Sequence, residues 1–388
     1  MKKKSTALIL SVAMIAALVT GCGKEKEETA SEIQDITIYE TIPAEEETVE
    51  SETAEETQEA ADSDEAPGEG YVRSSLTNEW VLEEVANSRP IAVMMPTDSE
   101  AQPQYNIGNA GVLYEAMEEG SISRQLAVIE GWQEMEKIGN VRSCRAYYIY
   151  PSMEWDSILV HFGGVFYMQD LITRSDVNNI SGTNEYGTGG SAPGSNAFFR
   201  SSDKAAPHNA YISGENITSA MTSLGYEAEH RSKYWNADHF TFASSSDPNT
   251  LASYSSAKDA TKVNLIDVFP VTKSYFEYDE ESGTYLKWLH NSEQVDAVTG
   301  EQLAFDNIII QFTESHVLDE KGYLAFDMLA ANQPGYYVTK GKVIPIVWTK
   351  LSDYEPTKYY DENGNEIVLN TGKTYIAIAQ NGTTPVFE

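Results

Sequence analysis

Two patterns of apolar and polar positions divide the folded part of the chain. Between about residues 89 and 225, short apolar runs alternate with stretches in which apolar residues recur at helical spacing. The runs predict buried strands at residues 90–95 (PIAVMM), 125–130 (QLAVIE) and 157–162 (SILVHF). The helical spacing predicts helices over residues 109–120, over residues 145–155 and after an N-cap at Ser213. Strands separated by helices are typical of βαβ units with a partly parallel sheet.

The pattern changes near residue 262, where short β-rich runs are separated by turn sequences. The turns are residues 279–283 (DEESG), 319–322 (DEKG) and 361–364 (DENG), and apolar runs lie between them at 308–312 and 343–348. Such spacing is typical of antiparallel hairpins. We therefore predict an α+β fold, with an N-terminal mixed α/β domain over residues 71–260 and an antiparallel β-rich C-terminal domain over residues 261–388.

The first 22 residues have the pattern of an export signal. Three lysines precede an apolar stretch at residues 6–19, which is too short to span a bilayer comfortably, and residues 18–22 read LVTGC. This ending resembles a bacterial lipobox, which implies export, diacylation of Cys22 and cleavage before it. We expect a signal peptide at residues 1–21 and attachment to the outer face of the cytoplasmic membrane. The alternatives are an ordinary signal peptide with an incidental cysteine and an uncleaved N-terminal helix.

Residues 22–70 are predicted to be a disordered acidic tether. Residues 24–70 contain 18 acidic residues against Lys24 and Lys26, with few large apolar side chains. Such a segment cannot bury enough surface to offset its ordering entropy. The whole chain carries a formal net charge of −34. A surface this acidic repels phosphate backbones, which excludes nucleic acid as a partner.

No familiar catalytic string occurs in the sequence. It has no G-x-S-x-G elbow, no H-E-x-x-H and no Walker A loop. Two cysteines exclude a disulfide scaffold, and six scattered histidines lack ligand spacing, so we predict no metal and no cofactor. Cys144 stands between two arginines that could lower a thiol pKa, but a small buried residue is the simpler interpretation. The glycine-rich residues 187–195 are interpreted as a flexible loop.

The remaining candidates for chemistry are polar residues at the ends of predicted elements. His161, for example, lies at the end of a predicted strand just before Gly163 and Gly164, where ligand sites in α/β sheets cluster. If the candidates converge, they would form an anion site or an acid–base site in a cleft. Each residue also has a structural explanation, as an ion-pair partner or a satisfied hydrogen bond. The candidate cluster comprises Glu115, Glu119, Arg124, Arg142, Ser143, Arg145, His161, Arg200, His208 and Asn209.

Several of these residues lie in motifs that resemble the YerB-like bacterial lipoproteins. Residues 278–285 and 359–364 resemble the second domain of that family. The resemblance covers most of residues 89–380 and implies an envelope lipoprotein with a mixed α/β domain followed by a β-rich domain. For relatives it also implies a link to cell-wall synthesis enzymes, as a partner or regulator. The N-terminal motifs are residues 89–94 (RPIAVM), 114–116 (YEA), 119–120 (EG), 124 (R), 137–139 (KIG), 141–143 (VRS), 160–161 (VH), 163–164 (GG), 199–200 (FR) and 206–209 (APHN).

The chain departs from the family pattern at two positions beside candidate residues. Cys144 replaces an alanine, and Ser201 replaces an aspartate that directly follows the arginine matching Arg200. If that acid takes part in chemistry, this member is impaired, which favours binding over catalysis. Residues 234–259 do not align with the family pattern.

Three functions fit the sequence. The first is a non-catalytic binding or regulatory module that contacts wall-synthesis proteins or wall fragments in the cell envelope; the long tether and the 23 tyrosines and 6 tryptophans favour it. The second is a hydrolase or transferase acting on an anionic envelope substrate. In that case Arg142, Arg145 and Arg200 would hold the anion, with His161 or His208 as general base and Glu115 as acid or orienter. The third is the solute-binding protein of a transporter, against which the strand-rich C-terminal half argues.

Overall fold

The computed structural model describes residues 65–183 and 192–388. The predicted signal peptide, Cys22 and residues 22–64 of the predicted tether lie outside the described residues, as do residues 187–191 of the glycine-rich loop. Contacts group all of the described residues into one unit. None of the helices within these ranges is long and apolar enough to cross a membrane.

The described residues up to the end of the fourth helix form strands and helices in alternation. The strands are β1 (Tyr71–Arg73), β2 (Trp80–Leu82), β3 (Ile91–Pro96), β4 (Val112–Met117), β5 (Ser123–Ile129), β6 (Ile138–Gly139), β7 (Ile158–His161), β8 (Asn179–Ser181), β9 (Phe199–Arg200) and β10 (Ala210–Ile212). The α-helices are α1 (Glu83–Asn87), α2 (Ala146–Glu154), α3 (Gln169–Ile172) and α4 (Gly214–Leu224). Short 3₁₀ segments lie at Ser99–Ala101, Ile107–Asn109, Glu119–Ser121, Phe166–Met168 and Ser195–Ala197.

After α4 the described chain forms strands joined by turns and loops, which confirms the predicted strand-rich character of the C-terminal half. The longest of these strands are a hairpin pair, β21 and β22. The strands are β11 (Thr241–Phe242), β12 (Lys258–Asp259), β13 (Lys262–Asn264), β14 (Tyr275–Asp279), β15 (Thr284–Leu289), β16 (Ser292–Glu293), β17 (Ala304–Phe305), β18 (Asn307–Thr313), β19 (Ser315–Val317), β20 (Leu324–Phe326), β21 (Ala330–Thr339), β22 (Lys342–Lys350), β23 (Lys358–Tyr360), β24 (Val368–Leu369), β25 (Thr374–Gln380) and β26 (Val386–Phe387).

One sheet of 11 strands contains strands from both halves of the chain. Its order is β12-β22-β21-β18-β25-β4-β5-β3-β7-β8, and β23 pairs with β22. β18 is parallel to β25, β25 to β4, β3 to β7 and β7 to β8, whereas β5 is antiparallel to both β4 and β3. The carboxyl ends of β18, β25, β4, β3, β7 and β8 therefore lie along one edge, which is where α/β sheets place ligand sites.

Most of the predicted N-terminal elements are present. The three predicted strands are β3, β5 and β7, and β7, α3 and β8 form a parallel βαβ unit. The helix predicted at residues 145–155 is α2, which contains Pro151. The helix after Ser213 is α4, and the Ser213 hydroxyl accepts a hydrogen bond from the Asn216 N–H at 3.2 Å as the predicted N-cap.

The helix predicted at residues 109–120 is wrong, because Val112–Met117 forms strand β4. All six residues of β4 are buried, and the strand lies between β25 and β5. A strand buried on both faces shows no alternation of apolar and polar residues, so its pattern can imitate that of a helix. Glu115 and Glu119 consequently do not share a helix face: Glu115 lies within β4, and Glu119 lies in the 3₁₀ segment that follows.

The predicted C-terminal hairpins are present as the antiparallel pairs β14–β15, β19–β20 and β21–β22. The expectation that this half is antiparallel throughout is wrong, since β25 pairs in parallel with both β18 and β4. The cause is the return of the chain to the centre of the sheet after β24, which places β25 beside an N-terminal strand. The long sheet is thus continuous across residue 260, and the predicted domain boundaries stay a prediction.

A second sheet of six strands packs against the first. Its order is β16-β15-β14-β13-β26, and β17 pairs with β15. The rings of Phe276 on β14 and Phe305 on β17 have their centres 4.7 Å and 5.7 Å from that of Tyr375 on β25. These buried aromatic contacts extend the core between the two sheets, so strands from both halves of the chain stabilise each other.

Candidate anion-binding site

Residues 142–145 lie at the carboxyl edge of the long sheet. The Arg142 N–H donates to the Met94 carbonyl at 2.9 Å near the end of β3, and the Arg142 carbonyl accepts from the Phe162 N–H at 2.8 Å just after β7. These backbone bonds hold the segment between the ends of two parallel strands. The arginine side chains of the segment are therefore fixed at the strand ends and do not project from a free loop.

Glu118 lies between two arginines of the candidate cluster. Its Oε2 is 2.8 Å from the Arg124 Nη2 and 3.5 Å from the Arg145 Nη2, and Glu119 accepts from the Arg145 Nε at 3.1 Å. Arg124 also donates from Nη1 to the Ser143 carbonyl at 2.5 Å. Burial raises the pKa of Glu118, although both arginines act to lower it. The charges of Arg124 and Arg145 are thus largely matched by carboxylates of the protein itself.

Arg142 differs from these two arginines because no carboxylate of the described residues lies within ion-pair distance of it. The Arg142 Nη1 lies 3.0 Å from the Nδ1 of His208. Within the described ranges, this is the side-chain hydrogen bond of Arg142. The side chain is half-buried, and burial lowers its pKa, as does the positive charge of Arg124, whereas the charges of Asp98 and Glu118 act to raise it. A guanidinium has five N–H donors. Most of the donors of Arg142 therefore remain available to a ligand.

His208 is a neutral acceptor for Arg142. Burial and the charge of Arg142 lower the pKa of His208 below its usual value, so the ring is uncharged at neutral pH. Because a guanidinium can only donate, the Nδ1 of His208 accepts and the ring proton lies on Nε2. The Asn140 side chain donates to the His208 carbonyl at 2.8 Å and fixes the loop. The imidazole thus supplies one N–H donor beside the guanidinium of Arg142.

Three further candidates lie around Phe162 at the same edge. Arg200 donates to the Asn209 Oδ1 at 2.6 Å, and its guanidinium is 5.0 Å from the centre of the Phe162 ring. The Ser143 hydroxyl donates to the Phe162 carbonyl at 3.1 Å. The Phe162 N–H also donates to the Arg142 carbonyl. The side chains of Ser143, Arg200 and Asn209 therefore lie around the segment next to Arg142.

Glu115 and His161 lie in separate buried networks, and neither side chain is exposed. Glu115 accepts from the Ser123 hydroxyl at 2.6 Å and forms an ion pair with Lys287 at 2.9 Å. The Nδ1 of His161 is 2.7 Å from the Gly163 carbonyl, and burial lowers the pKa of this histidine. A ligand at the surface would have no access to either group.

The sulfur of Cys144 also lies in the core. The residue has no exposed surface, and its Sγ is 3.2 Å from the Arg145 carbonyl. Burial raises the pKa of the thiol to about 12, although Arg145 acts to lower it. The interpretation of Cys144 as a small buried residue is confirmed.

The donors gathered at this edge suit an anion. They are arginine and histidine N–H groups, which hydrogen-bond strongly to carboxylate and phosphate oxygens. In the part of the chain that the structure describes, no group of three histidine, cysteine, aspartate or glutamate side chains is arranged to hold a metal ion. The N–H donors and the positive charge allow electrostatic recognition of an anion at this edge.

Comparison with known protein families identifies the family to which the chain belongs. The family model described as "Protein of unknown function (DUF3048) N-terminal domain" matches residues 76–227, and its C-terminal counterpart matches residues 266–376. Together the two matches cover more than half of the 388 residues. The chain belongs to the DUF3048 family.

This DUF3048 protein is similar to YerB of Bacillus subtilis (strain 168), whose name assigns it provisionally to the lipoproteins. The two are 27% identical over 308 residues, which cover 79% of this chain and 86% of YerB. The crystal structure of YerB from Bacillus subtilis matches with a TM-score of 0.64 at 24% identity, over 79% of this chain and 96% of the crystallised one. The shared fold and the sequence match confirm the resemblance to YerB-like proteins that the motifs indicated.

The sequence did not indicate two residues that contact arginines at the carboxyl edge of the long sheet in this DUF3048 protein. Glu118 was overlooked because its segment was predicted to be a helix; the acidic pair beside Gly120 and close to Arg124 was the available signal. Tyr323 directly follows the predicted turn at residues 319–322, and its ring centre is 5.6 Å from the guanidinium of Arg145. No local pattern indicates that this segment returns to residues 142–145, because the two are far apart in the sequence.

Proposed function

We propose that this DUF3048 protein is a membrane-anchored, extracytoplasmic lipoprotein whose folded part binds an anionic group of the cell envelope without catalysing a reaction. The observation that carries the proposal is Arg142, a half-buried guanidinium with no carboxylate partner among the described residues, beside neutral His208. Withdrawing a charge from water without a counter-ion costs free energy. A bound anion would supply a counter-ion at ion-pair distance, closer than the carboxylates of Asp98 and Glu118.

The charge of Arg142 is opposite in sign to the net charge of the folded part. Residues 71–388 carry 42 acidic and 21 basic residues, a net of −21. Such a surface repels anionic polymers, but screening limits this repulsion to about 8–10 Å at physiological ionic strength. Binding would then depend on the short-range geometry of the guanidinium, which favours a small anionic group over an extended polyanion.

The predicted lipid anchor supports a location in the envelope. The lipobox-like residues 18–22 end at Cys22, and the related YerB is provisionally named a lipoprotein. An acidic tether extends because its charges repel each other, so the folded part would stand clear of the membrane and within reach of the wall. The proposed location is therefore the outer face of the cytoplasmic membrane, with wall fragments or wall-synthesis proteins as partners.

The geometry supports binding better than hydrolysis or group transfer. The hydrolase hypothesis assigns Glu115 as the acid or as an orienting group, but Glu115 is fully buried in an ion pair with Lys287. His161 is also fully buried. His208 remains beside Arg142, but its Nδ1 already accepts from that guanidinium, so the ring atom that would take a proton from a substrate is occupied.

Sedimentation with isolated cell walls tests this function. The full-length lipidated protein in detergent micelles should co-sediment with the walls, and Arg142→Gln should lower the affinity about fivefold or more, since one charge-assisted contact is removed. Lys342→Gln is the matched control, because Lys342 is an exposed cation paired with Asp259. This control should bind like the wild type. Equal binding by the two variants would contradict the proposal.

A further inference from the structure

We infer that the anionic ligand is a short acidic saccharide, with its charged group at Arg142 and its rings on an aromatic platform made of Phe166, Tyr167 and Tyr323. The inference rests on the proposed function and specifies the class of ligand at the same site. It combines the open guanidinium with three adjoining aromatic side chains that the sequence did not single out.

The aromatic platform is accessible although its members are large and mostly apolar. Phe166 is 65% exposed and Tyr167 is 41% exposed, both on the 3₁₀ segment Phe166–Met168, and Tyr323 is half-buried. The ring centres of Phe166 and Tyr167 are 6.0 Å apart, and those of Tyr167 and Tyr323 are 5.9 Å apart. Adjoining exposed apolar groups mark interaction sites, whereas single ones are ordinary.

The platform begins where the arginine cluster ends. The guanidinium of Arg145 lies 5.6 Å from the centre of the Tyr323 ring. The Cys144 N–H donates to the Gly163 carbonyl at 3.0 Å, so the segment that carries the arginines is bonded to the backbone that leads into the platform. The inference therefore places the charged end of the ligand at Arg142 and its rings on the adjoining segment.

Contacts hold the platform in place before a ligand binds. The Tyr167 hydroxyl donates to the Asp319 Oδ2 at 3.0 Å, in the β19–β20 turn that also carries Tyr323. At the base of this hairpin, the ring centre of Phe326 is 4.7 Å from that of Tyr147 on α2. A surface that is ordered in advance binds with a smaller loss of conformational entropy.

The area of the platform suits a saccharide better than a protein. An aromatic side chain has about 150–250 Å² of surface, so the exposed fractions of Phe166 and Tyr167 together offer about 200 Å². A stable protein interface takes about 800 Å² from each partner. One or two sugar rings match the smaller area, because their C–H faces pack on aromatic rings while their hydroxyls stay hydrated.

The charges beside the platform select an acidic saccharide with a single charged group. The guanidinium of Arg142 can bind a carboxylate through two parallel N–H bonds. Glu118 and Glu119 lie against Arg145, whose guanidinium adjoins the Tyr323 ring of the platform, and would repel a second anionic group there. The expected ligand therefore carries its charge at one end and neutral rings at the other.

Calorimetric titration of the full-length protein in detergent micelles tests this inference with three probes. The disaccharide of N-acetylglucosamine and N-acetylmuramic acid carries one carboxylate, chitobiose is a neutral disaccharide, and lactate carries a carboxylate without rings. The acidic disaccharide should bind about tenfold or more tightly than either of the other probes, since only it can use both parts of the site.

Variants separate the two parts of the site. Phe166→Ala and Tyr167→Ala should each weaken binding of the acidic disaccharide about fivefold and leave lactate binding unchanged, whereas Arg142→Gln should weaken both. Leu351→Ala removes another exposed apolar side chain, 68% exposed, and should bind like the wild type. All four variants alter exposed or half-buried side chains, so their melting temperatures should stay close to that of the wild type.

The outcomes that overturn the inference differ from those that overturn the proposed function. Disaccharide binding that depends on Arg142 but not on Phe166 or Tyr167 would contradict the saccharide inference. The proposed anion site at Arg142 would still be supported. Equal affinity for chitobiose and the acidic disaccharide would also contradict the saccharide inference. Binding that does not depend on Arg142 would overturn both. Absence of disaccharide binding would contradict the saccharide inference. If a photo-crosslinker at position 166 then captured one envelope protein in cells, the platform would be assigned to a protein partner.

Discussion

Glu115 and Lys287 form an ion pair with 2.9 Å between the Oε2 and Nζ atoms, and both side chains are fully buried. The Lys287 ammonium also lies over the rings of Phe276 and Tyr375, at 4.7 Å and 4.5 Å from their centres. Burial acts to raise the pKa of Glu115, but Lys287 and several hydrogen bonds hold it below its usual value. Because Glu115 is on β4 and Lys287 on β15, the charged pair joins the two sheets.

Removal of one partner of this pair should destabilise the fold strongly. Lys287→Met leaves the Glu115 carboxylate buried without its counter-ion, and we expect the free energy of unfolding to fall by about 3–5 kcal/mol in urea denaturation. The double variant Lys287→Met/Glu115→Gln removes both charges and should recover most of this loss. Equal losses in the single and double variants would show that the charges are not coupled.

His239 should make the fold less stable as the pH falls below about 6.5. Its ring is stacked on Trp155 with 3.7 Å between centres, and burial lowers its pKa to about 4, although Glu154 acts to raise it. Between these two pH values the unfolded histidine binds a proton that the folded one does not. The contribution is therefore absent well above pH 6.5, and it reduces stability by about 3 kcal/mol once the pH reaches about 4.

Urea unfolding of the wild type and His239→Phe between about pH 7.5 and pH 4.5 measures this contribution. The phenylalanine keeps a ring against Trp155 but cannot bind a proton, so the variant should lose less stability over this range. His316→Gln is the control, because His316 is exposed on β19 and should follow the wild type. Parallel stability curves for the wild type and His239→Phe would contradict the prediction.

Cys144 should be unreactive in the folded protein. Its thiol is fully buried and its pKa is raised to about 12, so iodoacetamide at neutral pH should label it only after unfolding in urea, as followed by intact mass. Cys144→Ala should lower the free energy of unfolding by about 1 kcal/mol or less, since a small buried group is replaced by a slightly smaller one. Rapid labelling under native conditions would show that the segment opens.

His208 is predicted to position Arg142 for a ligand. His208→Ala removes the acceptor of the guanidinium and should weaken binding of wall fragments about threefold to tenfold. His208→Gln supplies an amide oxygen that can accept from Arg142, so it should restore most of the affinity. Equal weakening by both variants would contradict this positioning role, and wild-type affinity in His208→Ala would exclude it.

The sequence predicted elements whose signals are local. The strands at residues 90–95, 125–130 and 157–162 have short apolar runs, and the start of α4 was identified from the capping chemistry of Ser213. The segment that became β4 was mistaken for a helix because its burial depends on neighbours on both edges, and one of them, β25, comes from the end of the chain.

The candidate site shows the same division between local and distant information. Arg142, Ser143 and Arg145 were identified because they lie together next to a predicted helix. Their association with Arg124 and His208 depends on the order of strands in the sheet, which no single segment encodes. The burial of Glu115 has the same origin, since its partner belongs to the second sheet.

The central claim is that the guanidinium of Arg142 binds an anionic group of the envelope. Calorimetric titration of the full-length protein with soluble anionic wall fragments tests it most directly, with Arg142→Lys, Arg142→Gln and the control Lys342→Gln. Lysine keeps the charge but lacks the planar fork, so affinity should fall from wild type to Arg142→Lys and then to Arg142→Gln, with a total loss of about fivefold or more. Arg142→Gln binding as tightly as Lys342→Gln would show that Arg142 is not the anion site.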